Sequence, residues 1–489
     1  MTQMTVHEGS NPKIIQGGMG VGISSWQLAR EVSRLGHLGV VSGTGLDTVI
    51  IRSLQRGDPE KHIRRAMEHF PIQEISCRIL ETYFRKESKS EPTHFKTRPM
   101  FTATLSRELQ ELLVLSNFVE VFLAKEAHGG LVGINYLEKI QIPTLPSLYG
   151  AMLAGVDYVL MGAGIPMEIP GVLDKLASHE EASYNLDVSG ATKDDHFQTS
   201  FNPKVFSGGF SKSLKRPKFL AVIASAALAM ALKKRASGTV DGFIVEAPVA
   251  GGHNAPPRGG NSLNELGEPI YGPRDEVDLS VLKNLGLPFW LAGGFGSSEG
   301  FERAIASGAS GIQVGTAFAL CSESGLSPHL KRSVLEKIAR GNLKVFTDPF
   351  ASPSGFPFKV AQVEGTCSEK GTYESRPRIC DLGYLRQLFK KEDGGLGYRC
   401  PSEPVDAYIK KRGKKEDTVG RKCLCNALLA NIGLAQLQKD NYLEKALVTL
   451  GDDINKLKRF FRPDSLSYSA KEVIQDILPN LKLQYYGTS

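Results

Sequence analysis

Val245-Glu246-Ala247-Pro248-Val249-Ala250-Gly251-Gly252-His253 is the stretch on which the reading of this chain turns. The apolar run Gly242 to Val245 predicts a buried strand that opens into a Gly-Gly-His turn. Two adjacent glycines let a backbone approach a flat ligand with no Cβ in the way. They also hold an imidazole at the mouth of whatever site the strand faces. Histidine titrates closest to neutral pH, so general acid/base work is open to His253. A surface turn with an idle histidine is the plainer alternative, and only the neighbouring sequence separates the two.

Two more strand-and-glycine units follow. Pro288 to Ala292 is a short apolar run ending in Gly293-Gly294-Phe295-Gly296. Ser297, Ser298 and Glu299 then suit a helix start, with Phe301, Ala304 and Ile305 on one side and Gly308 at the end. Gly311-Ile312-Gln313-Val314 begins the next strand and runs into Gly315-Thr316. Strand, glycine turn, helix, strand is the grammar of a parallel sheet. In a (β/α)8 barrel the loops after the last two strands form a phosphate cup. These turns therefore predict a phosphate and a base on one barrel face.

The N-terminal part supplies the matching half. Ile14-Ile15-Gln16 leads into Gly17-Gly18-Met19-Gly20-Val21-Gly22, Ser24 or Ser25 caps a helix to Leu35, and Gly39 to Gly43 is a second strand. The helix turns Leu28, Ala29, Val32 and Leu35 inward. The turn is not a dinucleotide fingerprint, because G-x-G-x-x-G with a later acidic residue is absent. A glycine turn bearing Met19 suits a backbone passing along a flat ring, with the thioether against it.

With these residues in place, Gln16-Gly17-Gly18-Met19-Gly20, Glu246 to His253, Ala292-Gly293-Gly294 and Gly315-Thr316 together resemble the nitronate monooxygenase (2-nitropropane dioxygenase-like) family. Its superfamily includes flavin-dependent enoyl reductases of fatty-acid and polyketide synthesis. The similarity spans about residues 12 to 325, with the motifs in the family's order. It implies a TIM (β/α)8 barrel binding flavin mononucleotide (FMN). By resemblance, Gly293, Gly294, Gly315 and Thr316 hold the flavin phosphate. Gly18, Met19, Gly20, Gly251 and Gly252 line the ring and ribityl chain, Glu246 and Asn135 contact the flavin, and His253 is the active-site histidine. Nitronate enzymes usually carry a glycine two residues past the histidine, whereas Asn254-Ala255-Pro256-Pro257-Arg258-Gly259 follows here. That departure bears on the substrate, not on the flavin.

The remaining strands are read from apolar runs. Asp157 to Met161 and Phe219 to Ile223 are two, followed by helices Ile169 to Ala177 and Ser225 to Arg235. Val119–Ala124, Val132–Leu137 and Ile142–Leu145 compete for the third; Gly133-Ile134-Asn135 is preferred because the resemblance places such a segment beside flavin. Two long insertions, about 46–118 and 179–216, are expected; the second is either a lid over the site or a surface elaboration. Arg258, Arg274 and Asp275 are either substrate contacts or solvated loop residues.

At 489 residues the chain exceeds one barrel, so residues 1–325 are read as the barrel and 326–489 as an appended, mainly helical region. Asp348 to Pro357 reads as a rigid turn-like linker, and Leu428 to Leu478 as helices for docking or oligomer contacts. Cys380, Cys400, Cys423 and Cys425 are weak candidates for a four-thiolate set, because their spacing lacks two C-x-x-C pairs; no metal is expected. A net charge of +7 spread along the chain suits solvation and, secondarily, anionic ligands. Neither nucleic-acid binding nor a membrane span is indicated. Seven cysteines without a secretory signal suggest a cytoplasmic, reducing setting.

The preferred expectation is FMN-dependent oxidation of alkyl nitronates by oxygen, with His253 as base. The second is enoyl reduction of an enoyl thioester, with NAD(P)H as reductant and an acyl-carrier protein as possible partner. The third is a non-catalytic, phosphate-binding barrel. The sequence does not set the oligomeric state.

Overall fold

The computed structural model describes residues 11–86, 94–209, 213–260 and 262–479. Eight parallel strands form a barrel: β1 (Ile14–Gln16), β2 (Gly39–Ser42), β3 (Val132–Leu137), β4 (Tyr158–Gly162), β5 (Lys218–Ile223), β6 (Gly242–Glu246), β7 (Phe289–Ala292) and β8 (Gly311–Val314). From β2 to β8 each strand pairs with the next, and β1 pairs with β8. The seam between β1 and β2 closes through Gln16 N donating to Leu38 O at 2.9 Å and Leu38 N to Ile14 O at 3.1 Å. The (β/α)8 expectation holds.

Inside the barrel, Ile15, Val40, Tyr158, Leu160, Leu220, Ile244 and Trp290 pack into one cluster. Trp290 is fully buried, and its indole N–H donates to Pro12 O at 2.7 Å. The bore is therefore filled with side chains, and only the strands' C-terminal ends are left to build a site. Val132–Leu137 is the third strand, as preferred. Val119–Ala124 instead lies within helix Arg107–Lys125, where Ser106 caps the first turn through its hydroxyl. Ile142–Leu145 runs into helix Thr144–Leu153. Both runs are buried all round because helix Arg107–Lys125 packs between neighbours, so their apolarity had no strand period to reveal.

The insertion at 46–118 is helical, with Leu46–Gln55, His62–Glu68 and Gln73–Tyr83 preceding that long helix. The insertion at 179–216 forms an antiparallel pair, Ala182–Asn185 with Gln198–Phe201, and none of its described residues lines the cavities at the barrel mouth, which favours the surface elaboration over the lid. The covering is done by the region after 326, in which short helices are joined by four strands, Val345–Asp348, Phe358–Ala361, Gln387–Lys390 and Leu396–Arg399. Its later part buries Val448, Leu450, Ile454 and Leu457 in the same core as the barrel helices. No helix among the described residues is long and apolar enough to cross a membrane.

His37, in the loop before β2, is buried with neither ring nitrogen hydrogen-bonded. Burial pulls its pKa from 6.5 to about 4. Between those values the unfolded chain binds more protons than the folded one, so stability falls as pH drops through that window. The expected loss from this residue is roughly 3 kcal/mol at the acid end. Unfolding measured from pH 7 to 4 should show it, and His37→Leu should flatten the slope.

Candidate active site

The glycine turn after β1 is shaped by two polar side chains. Gln16 is fully buried; its amide donates to Ser24 Oγ at 2.8 Å and its carbonyl accepts from Val40 N at 3.0 Å. Ser24 Oγ accepts from Met19 N at 2.9 Å and donates to Gly17 O at 2.8 Å. Ser25, not Ser24, is the N-cap of helix Trp26–Arg34, so Ser24 is free to pin the turn. Gly20 and Gly22 have φ of +53° and +65°, values that favour glycine. At Gly18 a Cβ would lie 2.3 Å from Asn135 Cβ, so the end of β3 sits directly against this turn.

All twelve residues expected at the site line one cavity of about 230 Å³ at the barrel mouth: Gly18, Met19, Gly20, Asn135, Glu246, Gly251, Gly252, His253, Gly293, Gly294, Gly315 and Thr316. Met19 reaches the end of β8, its Sδ 3.7 Å from where a Gly315 Cβ would stand. Gly293 and Gly294 have φ of +85° and +82° and turn the chain after β7. A Cβ on Gly252 would meet nothing within 4 Å, which leaves an open backbone surface for a planar group. A flat, phosphate-bearing cofactor fits this lining: open glycines along one wall and a hydroxyl at Thr316.

The sequence reading missed the other wall. Lys456 and Arg459, on the 3-10 stretch Asp452–Phe460, line the same cavity and reach the turn after β7. Lys456 Nζ donates to Gly294 O at 3.2 Å, and Arg459 donates to Gly296 O. Two cations thus stand over the glycine turn predicted to hold a phosphate. Thr449 Oγ1 accepts from Gly252 N at 2.8 Å, and Thr316 Oγ1 accepts from Gly451 N at 2.9 Å. Their alternation of charge and apolar residues resembled any solvated helix face, so no local signal marked them.

His253 sits where the turn after β6 meets the hairpin Val345–Ala361. Its Nε2 lies 2.7 Å from the Oγ of fully buried Ser352, which in turn is 2.7 Å from Ser354 Oγ. Its ring packs edge-on to Phe358 with centroids 4.8 Å apart. The expected linker 348–357 is therefore a wall of the site. Burial lowers the His253 pKa to about 4, so the ring is neutral at neutral pH. Burial also raises Glu246 to about 8, so its carboxyl keeps its proton.

Glu246 and His253 also face a second cavity of about 230 Å³, walled by Ala163, Val222, Pro256, Arg258, Tyr271 and Phe356. Arg258 and Asp275 meet there as an ion pair at 3.7 Å; Arg274 is not among the lining residues. A third space of about 1000 Å³ opens between the loop after β6 and the C-terminal region, and again reaches Glu246. Cys380, Cys400, Cys423 and Cys425 converge elsewhere on a small cavity. Among the described residues no group of three ligand side chains is arranged to hold a metal ion.

Residues 201–351 match the nitronate monooxygenase family model. That stretch runs from before β5 to the Ser352 hairpin and contains Glu246, His253 and the last two glycine turns. A curated dehydrogenase of Rhodococcus jostii (strain RHA1), named for (3aS,4S,5R,7aS)-5-hydroxy-7a-methyl-1-oxo-octahydro-1H-indene-4-carboxyl-CoA, is 34% identical over 120 residues. The match covers 24% of this chain and 29% of that protein, less than a third of its length. Among solved structures, FabK from Thermotoga maritima is similar at 15% identity and a TM-score of 0.45, over 96% of this chain and 92% of that one. Nitroalkane oxidase from Streptomyces ansochromogenes is similar at 16% identity and 0.42, over 97% of each chain. The enoyl reductase domain of MlnA from Bacillus amyloliquefaciens is similar at 11% identity and 0.45, over 97% and 96%. Likenesses this weak carry no functional weight.

The Thr449 contact can be tested directly. Thr449→Val removes the acceptor of Gly252 N–H and should cost roughly 1–3 kcal/mol, read from the denaturant midpoint.

Proposed function

We propose that the chain is an FMN-dependent oxidoreductase acting beside the carbonyl of an acyl thioester, in the direction of enoyl reduction. One observation carries this reading. Glu246 and His253 face a common cavity at the end of β6, and both are uncharged at neutral pH. Adding hydrogen across an enoyl bond requires a proton for the α-carbon and a donor for the thioester oxygen. Glu246 holds the proton. With the Ser352 hydroxyl donating to Nε2 of His253, the ring proton would sit on Nδ1, which could then polarise the carbonyl. A bound flavin supplies the hydride, drawn from NAD(P)H. Gly18, Met19, Asn135, Gly251 and Gly252 would hold its ring and chain; Gly293, Gly294, Gly315 and Thr316, with Lys456 and Arg459, would hold its phosphate. The carboxyl-CoA named in the Rhodococcus relative supports a thioester, borne on coenzyme A or an acyl-carrier protein. All seven cysteines are free thiols, consistent with a reducing, cytoplasmic setting.

Nitronate oxidation is the second reading, favoured by the family match over 201–351. A nitronate arrives already deprotonated and needs no proton donor. An imidazole titrating near 4 is also a weak base for taking a proton from a nitroalkane, which moves His253 from base to hydrogen-bond donor.

Under the first reading NADH or NADPH bleaches the yellow protein anaerobically, and an enoyl-CoA restores the colour. Under the second the colour persists with nicotinamide, and nitronate with oxygen turns over. Protein that is colourless and cannot be reconstituted points to the non-catalytic barrel. Because Glu246 must be protonated, enoyl reduction should fall as pH rises through about 8, and Glu246→Gln should abolish that limb together with most of the rate. The phosphate wall is tested separately: Lys456→Ala should weaken FMN roughly tenfold while leaving riboflavin unchanged.

A further inference from the structure

Cys380, Cys400, Cys423 and Cys425 come from three stretches of the C-terminal region and line one cavity of about 10 Å³ beside Pro353. The space is too small for an organic ligand. Two of the four stand apart by geometry. Strand Gln387–Lys390 pairs antiparallel with Leu396–Arg399, and Gln387 lies opposite Arg399 at the hairpin's open end. Cys400 directly follows Arg399, Cys380 lies in the segment leading to Gln387, and the two thiols meet as side-chain hydrogen-bond partners. Cys380 is partly exposed, whereas Cys400 is buried. The charge of Arg386 also favours a thiolate at Cys380. Burial pushes the Cys367, Cys423 and Cys425 thiols up, and Cys400 is pushed up as well by its contact with Cys380 and by burial, so of these five thiols Cys380 alone is shifted toward the thiolate.

We infer that Cys380 and Cys400 form a peroxide-reactive dithiol, with Cys380 as the attacking thiol and Cys400 as the resolving one. The Cys380 thiolate attacks one oxygen of a hydroperoxide and breaks the O–O bond. This gives a sulfenic acid at Cys380 and an alcohol, or water when the oxidant is hydrogen peroxide. Cys400 sulfur then attacks the Cys380 sulfur and an S–S bond forms. The sulfenic hydroxyl leaves with the Cys400 proton as water. Two thiols are oxidised by two electrons, and the peroxide is reduced by the same two.

The reduced, full-length protein is treated with a single equivalent of hydrogen peroxide, alkylated and mapped by mass spectrometry. A Cys380–Cys400 cross-linked peptide that vanishes with dithiothreitol is the expected result. Cys400→Ser should leave a sulfenic acid at Cys380, trapped by dimedone, and Cys423→Ser should still form the cross-link. The inference is overturned if exposed Cys77 is oxidised while Cys380 and Cys400 stay alkylated. It is equally overturned if Cys423→Ser abolishes the cross-link, or if the purified protein carries stoichiometric zinc that Cys380→Ser removes.

Discussion

The barrel of this protein does not complete its own mouth. Two distant segments of the C-terminal region, the hairpin at 345–361 and the stretch at 448–460, are laid across the strand ends and joined to them through backbone N–H groups that donate to threonine hydroxyls and to a carbonyl. Gly252 N–H is taken by Thr449, Gly451 N–H by Thr316, and Asp452 N–H by Val249 O. That closeness needs glycine on both sides. A Cβ on Gly251 would fall 2.9 Å from Gly451 N, and one on Gly451 would fall 2.8 Å from Val249 O. The Gly-Gly-His turn therefore serves the protein's own docking as well as any ligand, a double use that a substitution at Gly251 would expose.

This contact also sets the chemistry. The wall of Phe356, Phe358 and Ser352 dehydrates His253 and fixes which ring nitrogen is engaged, and enclosure of the mouth keeps Glu246 protonated. In an open barrel both groups would titrate near their ordinary values, one as a base and the other as a carboxylate.

Much of this was legible in the sequence for definite reasons. The glycine turns after β1, β6, β7 and β8 are local features, since a turn that needs positive φ or close backbone approach writes glycine at the spot. Their common order gave the barrel, and all the residues they flagged meet in one cavity. What the sequence hid is non-local. Lys456 and Arg459 look like solvated charges, and Ser352 looks like a turn serine in a proline-rich stretch. Their meaning lies in what they touch across the fold. Helix Arg107–Lys125 misled in the opposite way, because burial on every side erased its period. In the tail, Val448, Leu450, Ile454 and Leu457 pack into the barrel's core, a long-range contact that no local pattern announces.

The reach of Lys456 and Arg459 to the turn after β7 has a consequence for biogenesis. In the order of synthesis the eight barrel strands precede the stretch Asp452–Phe460 that covers them, so this part of the rim is assembled only after that stretch has been made and has packed onto the turn after β7.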